Sequence, residues 1–179
     1  MRDAKPDIIS SKSVFKAKLF EVDELSIKYP TGRAVTHHLV KRDPTVVVFP
    51  ITPKGEVYLV KQYRYMLKKI TLEALAGFID EGETPLQAAK RETKEEAGIQ
   101  AGSWEEMIRM DMAGSVVDAP VHMFLAQDLE IGESAPEEDE DIEVVKMSLK
   151  EALQNVFSGE ITTSATIAGL LMLEKLLKK

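Results

Sequence analysis

Three glutamates, Glu92, Glu95 and Glu96, stand at i, i+3 and i+4 along a stretch that reads as a helix, so their carboxylates share one face. Like charges so placed destabilise a helix. Two arrangements relieve the repulsion. One is a solvated face on which Lys90, Arg91 and Lys94 screen the acids, the usual state of a charge run. The other is a hard divalent cation such as Mg2+, which prefers carboxylate oxygens. Spacing alone leaves both open. A second carboxylate source is the run Glu137–Glu143. It reads first as a solvated loop, and beside a fixed cation site it could offer a proton acceptor for an attacking water.

The helix that carries the glutamates is sharply bounded. Thr84 suits the N-cap, Pro85 the first helical position and Gln87 the third residue of a capping box. Gly98 is the expected stop. Leu86, Ala89, Thr93 and Ala97 form a weakly apolar stripe between them. Upstream the chain reads as β: Val14–Tyr29 and Ala34–Val40 flank a turn at Pro30-Thr31-Gly32. Val46–Phe49 and Val57–Val60, joined through Pro53-Lys54-Gly55, are expected to form a hairpin, and Leu72–Leu75 a short strand before Gly77. Strands return at Trp104–Met110, Val121–Ala126 and Ile142–Met147. Ser148 and Glu151 open a helix to about Phe157, and a last helix runs from about Thr163 to Lys178.

Composition narrows the classes of function. The chain has 179 residues, 44% hydrophobic and 30% charged, enough for one medium domain with a small appendage. The absence of cysteine excludes disulfide scaffolds, thiolate nucleophiles, Cys-ligated zinc and iron–sulfur clusters. A net charge of −7 gives no global electrostatic case for nucleic acid. The longest apolar run, Val46–Ile51, is too short to cross a bilayer, and the polar N-terminus leads into no signal peptide, so the expected location is cytoplasmic. His37 and His38 would face opposite ways on a strand and make poor joint ligands; His122 reads as an ordinary strand residue.

The stretch from Gly77 to Ile99 resembles the Nudix box, G-x5-E-x7-R-E-U-x-E-E-x-G-U, where U is aliphatic. Gly77, Glu83, Arg91, Glu92, Glu95, Glu96, Gly98 and Ile99 match. Thr93 stands where an aliphatic residue is usual. The resemblance implies a mixed α/β (α+β) fold, a mixed sheet between helices. It implies that Glu92 and Glu96 are the principal metal ligands with Glu95 beside them, in a catalytic as well as a ligand role, and that the backbone carbonyl of Ala76 is a further ligand. Mg2+ is the implied metal, with Mn2+ an alternative. Gly77, Glu83, Arg91 and Gly98 would be structural, Glu83 and Arg91 pairing to hold the loop onto the helix.

A narrower resemblance, to the ADP-ribose pyrophosphatase branch, rests on Gln62-Tyr63-Arg64, on Leu72 to Asp80, and on Glu137-Glu138-Asp139-Glu140-Asp141-Ile142-Glu143. It implies a Mg2+-dependent hydrolase that cuts the pyrophosphate of ADP-ribose or a related nucleoside diphosphate sugar. Arg64 and Glu73 would line the substrate cleft, and Glu140 would be the general base, with Glu138 and Glu143 as alternates. Members specific for ADP-ribose usually carry a proline about sixteen residues past the box. None lies between Gly98 and Ala119, so a broader range of nucleoside diphosphate sugars is expected. The branch also pairs through an N-terminal β segment; residues 1–42 are accordingly expected to be a β appendage that supports a homodimer, and 43–179 the catalytic domain. An inactive Nudix regulator is disfavoured by the intact glutamates, and isopentenyl diphosphate isomerase by the missing cysteine.

Overall fold

The computed structural model describes residues 5–134 and 141–178, which form two compact units. The smaller comprises residues up to Pro44 together with Asp111–Pro120. Its strands β1 (Asp7–Lys16), β2 (Glu21–Lys28) and β3 (Ala34–Lys41) form an antiparallel meander. The β segment expected over Val14–Tyr29 is therefore two strands. A turn closed by the Ala17 N–H on the Phe20 carbonyl at 2.9 Å separates them. Inside the meander the buried Asp23 accepts from Ser11 at 3.0 Å and ion-pairs with Lys41. The Lys41 hydrogen bond holds the Asp23 carboxyl below its ordinary range, against the opposing effect of burial. Every residue of β1 is exposed, Ile8, Ile9, Val14 and Phe15 among them.

The larger unit, Thr45–Met110 with Val121 onward, carries two sheets. In the first, β4 (Thr45–Pro50) lies between β7 (Leu75–Phe78), antiparallel, and β9 (Val117–Ile131), parallel; β8 (Ile99–Ala113) pairs with β9. In the second, β5 (Glu56–Arg64) sits between β10 (Ile142–Ser148) and β6 (Lys69–Glu73), all antiparallel. Helices α1 (Pro85–Ala97), α2 (Leu149–Ser158) and α3 (Ser164–Leu176) complete the unit.

Strand β4 explains the layering. Its side chains alternate between two buried clusters, as the pleat requires. Val46 and Val48 join Ala88, Ala89 and Ala97 of α1; Val47 and Phe49 join Leu153 of α2 and Leu170 and Leu173 of α3. A strand covered on both faces reads as a continuous apolar run, and this one does. Against Phe49 the backbone of α3 comes so close that a Cβ at Gly169 would fall 2.1 Å from the ring.

The expected β4–β5 hairpin does not form. The turn is real: Gly55, at φ 75°, donates to the Thr52 carbonyl at 2.9 Å. After a single Ile51–Val57 bridge the strands part into different sheets. Each is apolar on both faces, so each needs its own neighbours and covering layers rather than the other's edge. The strand expected over Leu72–Leu75 is likewise two, broken at Ala74, where the chain leaves the second sheet for the first. On α1, Leu86 is exposed and Ala88 takes its place in the buried stripe. No helix among the described residues is long and apolar enough to cross a membrane.

Candidate active site

The turn before α1 and the helix itself are fixed by local chemistry. Thr84 Oγ1 accepts the Gln87 N–H at 3.3 Å, and the Gln87 side chain accepts the Thr84 N–H at 2.8 Å, closing a capping box. At the other end Gly98 takes a left-handed φ of 66° and donates to the Lys94 carbonyl at 2.9 Å. A Cβ there would fall 2.6 Å from the Glu133 backbone, so glycine is required both for conformation and for space. Thr93, the departure from the motif, is fully buried, and its hydroxyl donates to the Ala89 carbonyl at 2.6 Å. The polar group is thereby satisfied within the helix's own backbone.

The carboxylates of α1 reach β7. Glu96 is buried and accepts the Ala76 N–H at 3.1 Å. The Glu92 carboxylate lies over Gly77, where a Cβ would sit 1.9 Å from its carboxyl carbon. Arg91 gathers the remainder. It donates to Glu83 through Nε at 3.1 Å and Nη2 at 2.9 Å, to Glu92 at 2.6 Å, to Glu95 at 3.1 Å and to the Phe78 carbonyl at 2.9 Å. Such a fork is geometrically specific in a way a lysine cannot reproduce. The Glu83 bond raises the Arg91 pKa further and, in return, holds the Glu83 carboxyl below its ordinary range.

Arg64 and Glu73 are brought together across β5 and β6. The guanidinium donates through Nε at 3.0 Å and Nη2 at 2.8 Å, and the Thr71 hydroxyl donates to the same carboxylate. Burial pushes the Glu73 carboxyl up, but the hydrogen bonds from Arg64 and Thr71 together outweigh it, leaving the group below its usual range. Glu143 stands opposite Lys61, 3.6 Å from its ammonium. It alternates with Ile142, which packs in the cluster beneath α1, so Glu143 points to the other face of its sheet. Glu138 and Glu140 lie outside the described residues. A residue that sequence reasoning misses is Glu133, which lines a groove with Arg91, Lys94 and Glu95. Its one signal is the preceding Gly132, whose N–H bonds the Gly98 carbonyl at 2.8 Å. His122 is engaged with Glu106 at 2.6 Å, and His38 approaches Glu24 at 3.7 Å.

These residues suit a hard divalent cation. Glu92, Glu95 and Glu96 offer only oxygen donors, and Gly77 leaves the Glu92 carboxylate a cradle that any side chain would fill. Among the described residues no three acidic or histidine side chains converge as a ready-made cage; Arg91 takes up Glu92 and Glu95 instead.

Comparison with known proteins agrees with this architecture. The model of the NUDIX domain matches residues 41–164. The chain is 31% identical to an ADP-ribose pyrophosphatase of Bacillus subtilis over 168 residues, covering 93% of this chain and 91% of that protein. It is 32% identical to an ADP-ribose pyrophosphatase of Mycobacterium tuberculosis, with 92% and 81% covered. A crystal structure of an ADP compounds hydrolase superposes with a TM-score of 0.85 at 23% identity, over 97% of this chain and 95% of that one. A family model over most of the chain and relatives matched along nearly its whole length show the same thing: the chain belongs to the Nudix domain family.

Proposed function

We propose that the chain is a pyrophosphatase that hydrolyses ADP-ribose or a related nucleoside diphosphate sugar. The relatives' names give the substrate class. The observation that carries the chemistry is the α1–β7 arrangement, with Glu92 over Gly77 and Glu96 on the Ala76 N–H. Water adds to one phosphorus, the bridging P–O bond breaks, and a nucleoside monophosphate and a sugar phosphate leave. Glu92 and Glu96, with Glu95 and the Ala76 carbonyl, would hold the divalent cation, Mg2+ in this reading and Mn2+ as its substitute. When bound, that cation supplies neutralisation of the pyrophosphate charge.

The chain's own groups do the rest. Arg91 and Glu83 fix the loop and α1 as one piece, which keeps the carboxylates aimed. Arg64, whose Nε and Nη2 are committed to Glu73 and so fix its guanidinium in place, is the proposed cation of the substrate cleft. Glu140 is the proposed proton acceptor for the attacking water. Supporting the choice, Glu143 faces away from α1, while Glu133 lines a groove with Arg91, Lys94 and Glu95 and Ile142 packs in the cluster beneath α1. Glu140→Gln is expected to lower kcat by about 10²–10⁴-fold with substrate binding nearly intact; wild-type turnover in that variant would move the base elsewhere.

The same reading takes residues 1–42 as the dimerisation segment. It is supported by a fully exposed edge strand bearing Ile8, Ile9, Val14 and Phe15, which a second copy would cover. A cytoplasmic location without a nucleic-acid partner goes with a charge of −7. The test is a panel of nucleoside diphosphate sugars with Mg2+, products resolved by phosphorus NMR. A nucleoside monophosphate plus sugar phosphate from ADP-ribose and from other members of the panel is expected. No cleavage of any of them would overturn the reading.

A further inference from the structure

Ala74 is the residue at which the chain passes from β6 in one sheet to β7 in the other, and it belongs to neither ladder. It is 2% exposed. A buried N–H outside a ladder needs another acceptor, and this one comes from far along the chain. Thr166 Oγ1, in the first turn of α3 and itself buried, accepts the Ala74 N–H at 2.9 Å.

Two further observations set this bond apart from incidental packing. Thr163 occupies the N-cap of α3 but makes no side-chain cap bond; its hydroxyl donates instead to Thr166 Oγ1 at 2.9 Å. A cap bond ordinarily stabilises a helix start, and here the group that could make it serves the tether. The residue before it, Thr162, accepts from Lys69 Nζ at 3.1 Å. The start of α3 therefore grips β6 at its first residue and just beyond its last.

The gripped position lies between the two halves of the candidate site. Glu73, which holds Arg64, is one residue before Ala74; Ala76 and Gly77, against which Glu96 and Glu92 rest, follow closely. We propose that Thr166 is a positioning residue for the pyrophosphatase reaction: through the Ala74 peptide it sets the spacing between the Arg64–Glu73 fork and the β7 segment that carries the α1 carboxylates. This inference rests on the function proposed above. A misplacement of about 1 Å at a reacting group costs up to about 10²-fold in rate, so one peptide held from outside the site is enough to matter.

The test compares Thr166→Val, which keeps the shape and removes the acceptor, with Thr166→Ser, which restores it. Leu153→Ala, buried in the cluster that α3 shares, serves as a destabilised control. Rates are measured well below each variant's Tm. Thr166→Val is expected to lose about tenfold to a hundredfold in kcat, with a much smaller change in KM. Thr166→Ser is expected to turn over like wild type, and so is Leu153→Ala. In metal-free protein, the Ala74 and Ala76 amides of Thr166→Val should exchange with solvent at least about tenfold faster than in wild type. The exchange arm needs no turnover, and a wild type inert on the whole substrate panel would count against the proposed function alone. Wild-type kcat in Thr166→Val, an equal kcat loss in Leu153→Ala, or unchanged exchange at both amides would each overturn the positioning role.

Discussion

Two arginine–glutamate forks of nearly the same geometry do different things in this molecule. Arg91 and Glu83 join through bonds of 3.1 and 2.9 Å, and Arg64 and Glu73 through bonds of 3.0 and 2.8 Å. The first is a junction: Arg91 also serves Glu92, Glu95 and the Phe78 carbonyl. The second is a lid on one buried carboxylate, with Glu73 only 7% exposed beneath a half-exposed arginine. Similar bond lengths therefore carry unlike consequences. Removing Arg91 leaves several carboxylates facing each other; removing Arg64 leaves one buried carboxylate with Thr71.

The largest expected effect lies at two acids of α1, one in the junction and one beside it. Glu92→Gln and Glu96→Gln should stay folded and lose about 10³-fold in turnover, because in the proposed reaction they would hold the cation that supplies several kcal/mol of charge stabilisation. Initial rates beside circular dichroism check this. Arg91→Ala comes next, with a stability loss of about 2 kcal/mol, already reduced for its 29% exposure, and a clear fall in kcat. Chemical denaturation reads the first and steady-state kinetics the second. The sharper contrast is in rescue. Glu73→Gln should restore most of the stability lost in Arg64→Ala, since no buried charge is left unpaired. Glu83→Gln should not rescue Arg91→Ala, because Glu92 and Glu95 still face each other. Equal rescue in both double variants would erase the distinction between junction and lid.

A smaller effect follows from the lowered pKa of Glu73. The unfolded carboxyl titrates near its ordinary 4.5, and the folded one below it. The stabilisation is therefore fully present above about pH 5 and is lost as pH falls through the folded value. Tm measured against pH should show this slope, and Arg64→Ala should flatten it. Smallest of all, Thr93→Val should change stability by less than about 1 kcal/mol. The hydroxyl it removes bonds a carbonyl of the same helix, so little is left unsatisfied.

Legibility in the amino-acid sequence divides along similar lines. The α1 end is legible because its determinants are local: Thr84, Pro85, Gln87 and Gly98 act within a few residues of one another. The mixed sheet between helices comes from the family resemblance, while the residues of β4 by themselves show only a strand. The β4–β5 hairpin fails because a genuine turn at Gly55 says nothing about which sheet each strand joins. The break at Ala74 is hidden for the same reason; its N–H is satisfied by Thr166, ninety-two residues away. Arg64 and Glu73 both stand out in the sequence, but their contact with each other depends on the register of β5 with β6, which places Val60 opposite Glu73. Glu133 belongs to no motif and is brought to the end of α1 where Gly132 bonds the Gly98 carbonyl and the Glu133 backbone closes on Gly98.

In the proposed reaction the α1 carboxylates would hold a divalent cation, which would supply neutralisation of the pyrophosphate charge. The decisive experiment is the rate of ADP-ribose cleavage by the full chain as free Mg2+ is raised from zero under chelator buffering. No turnover is expected at zero free cation, followed by a saturable rise, with Glu92→Gln and Glu96→Gln failing to reach the wild-type plateau at any concentration. Full turnover in excess chelator would refute the cation's role.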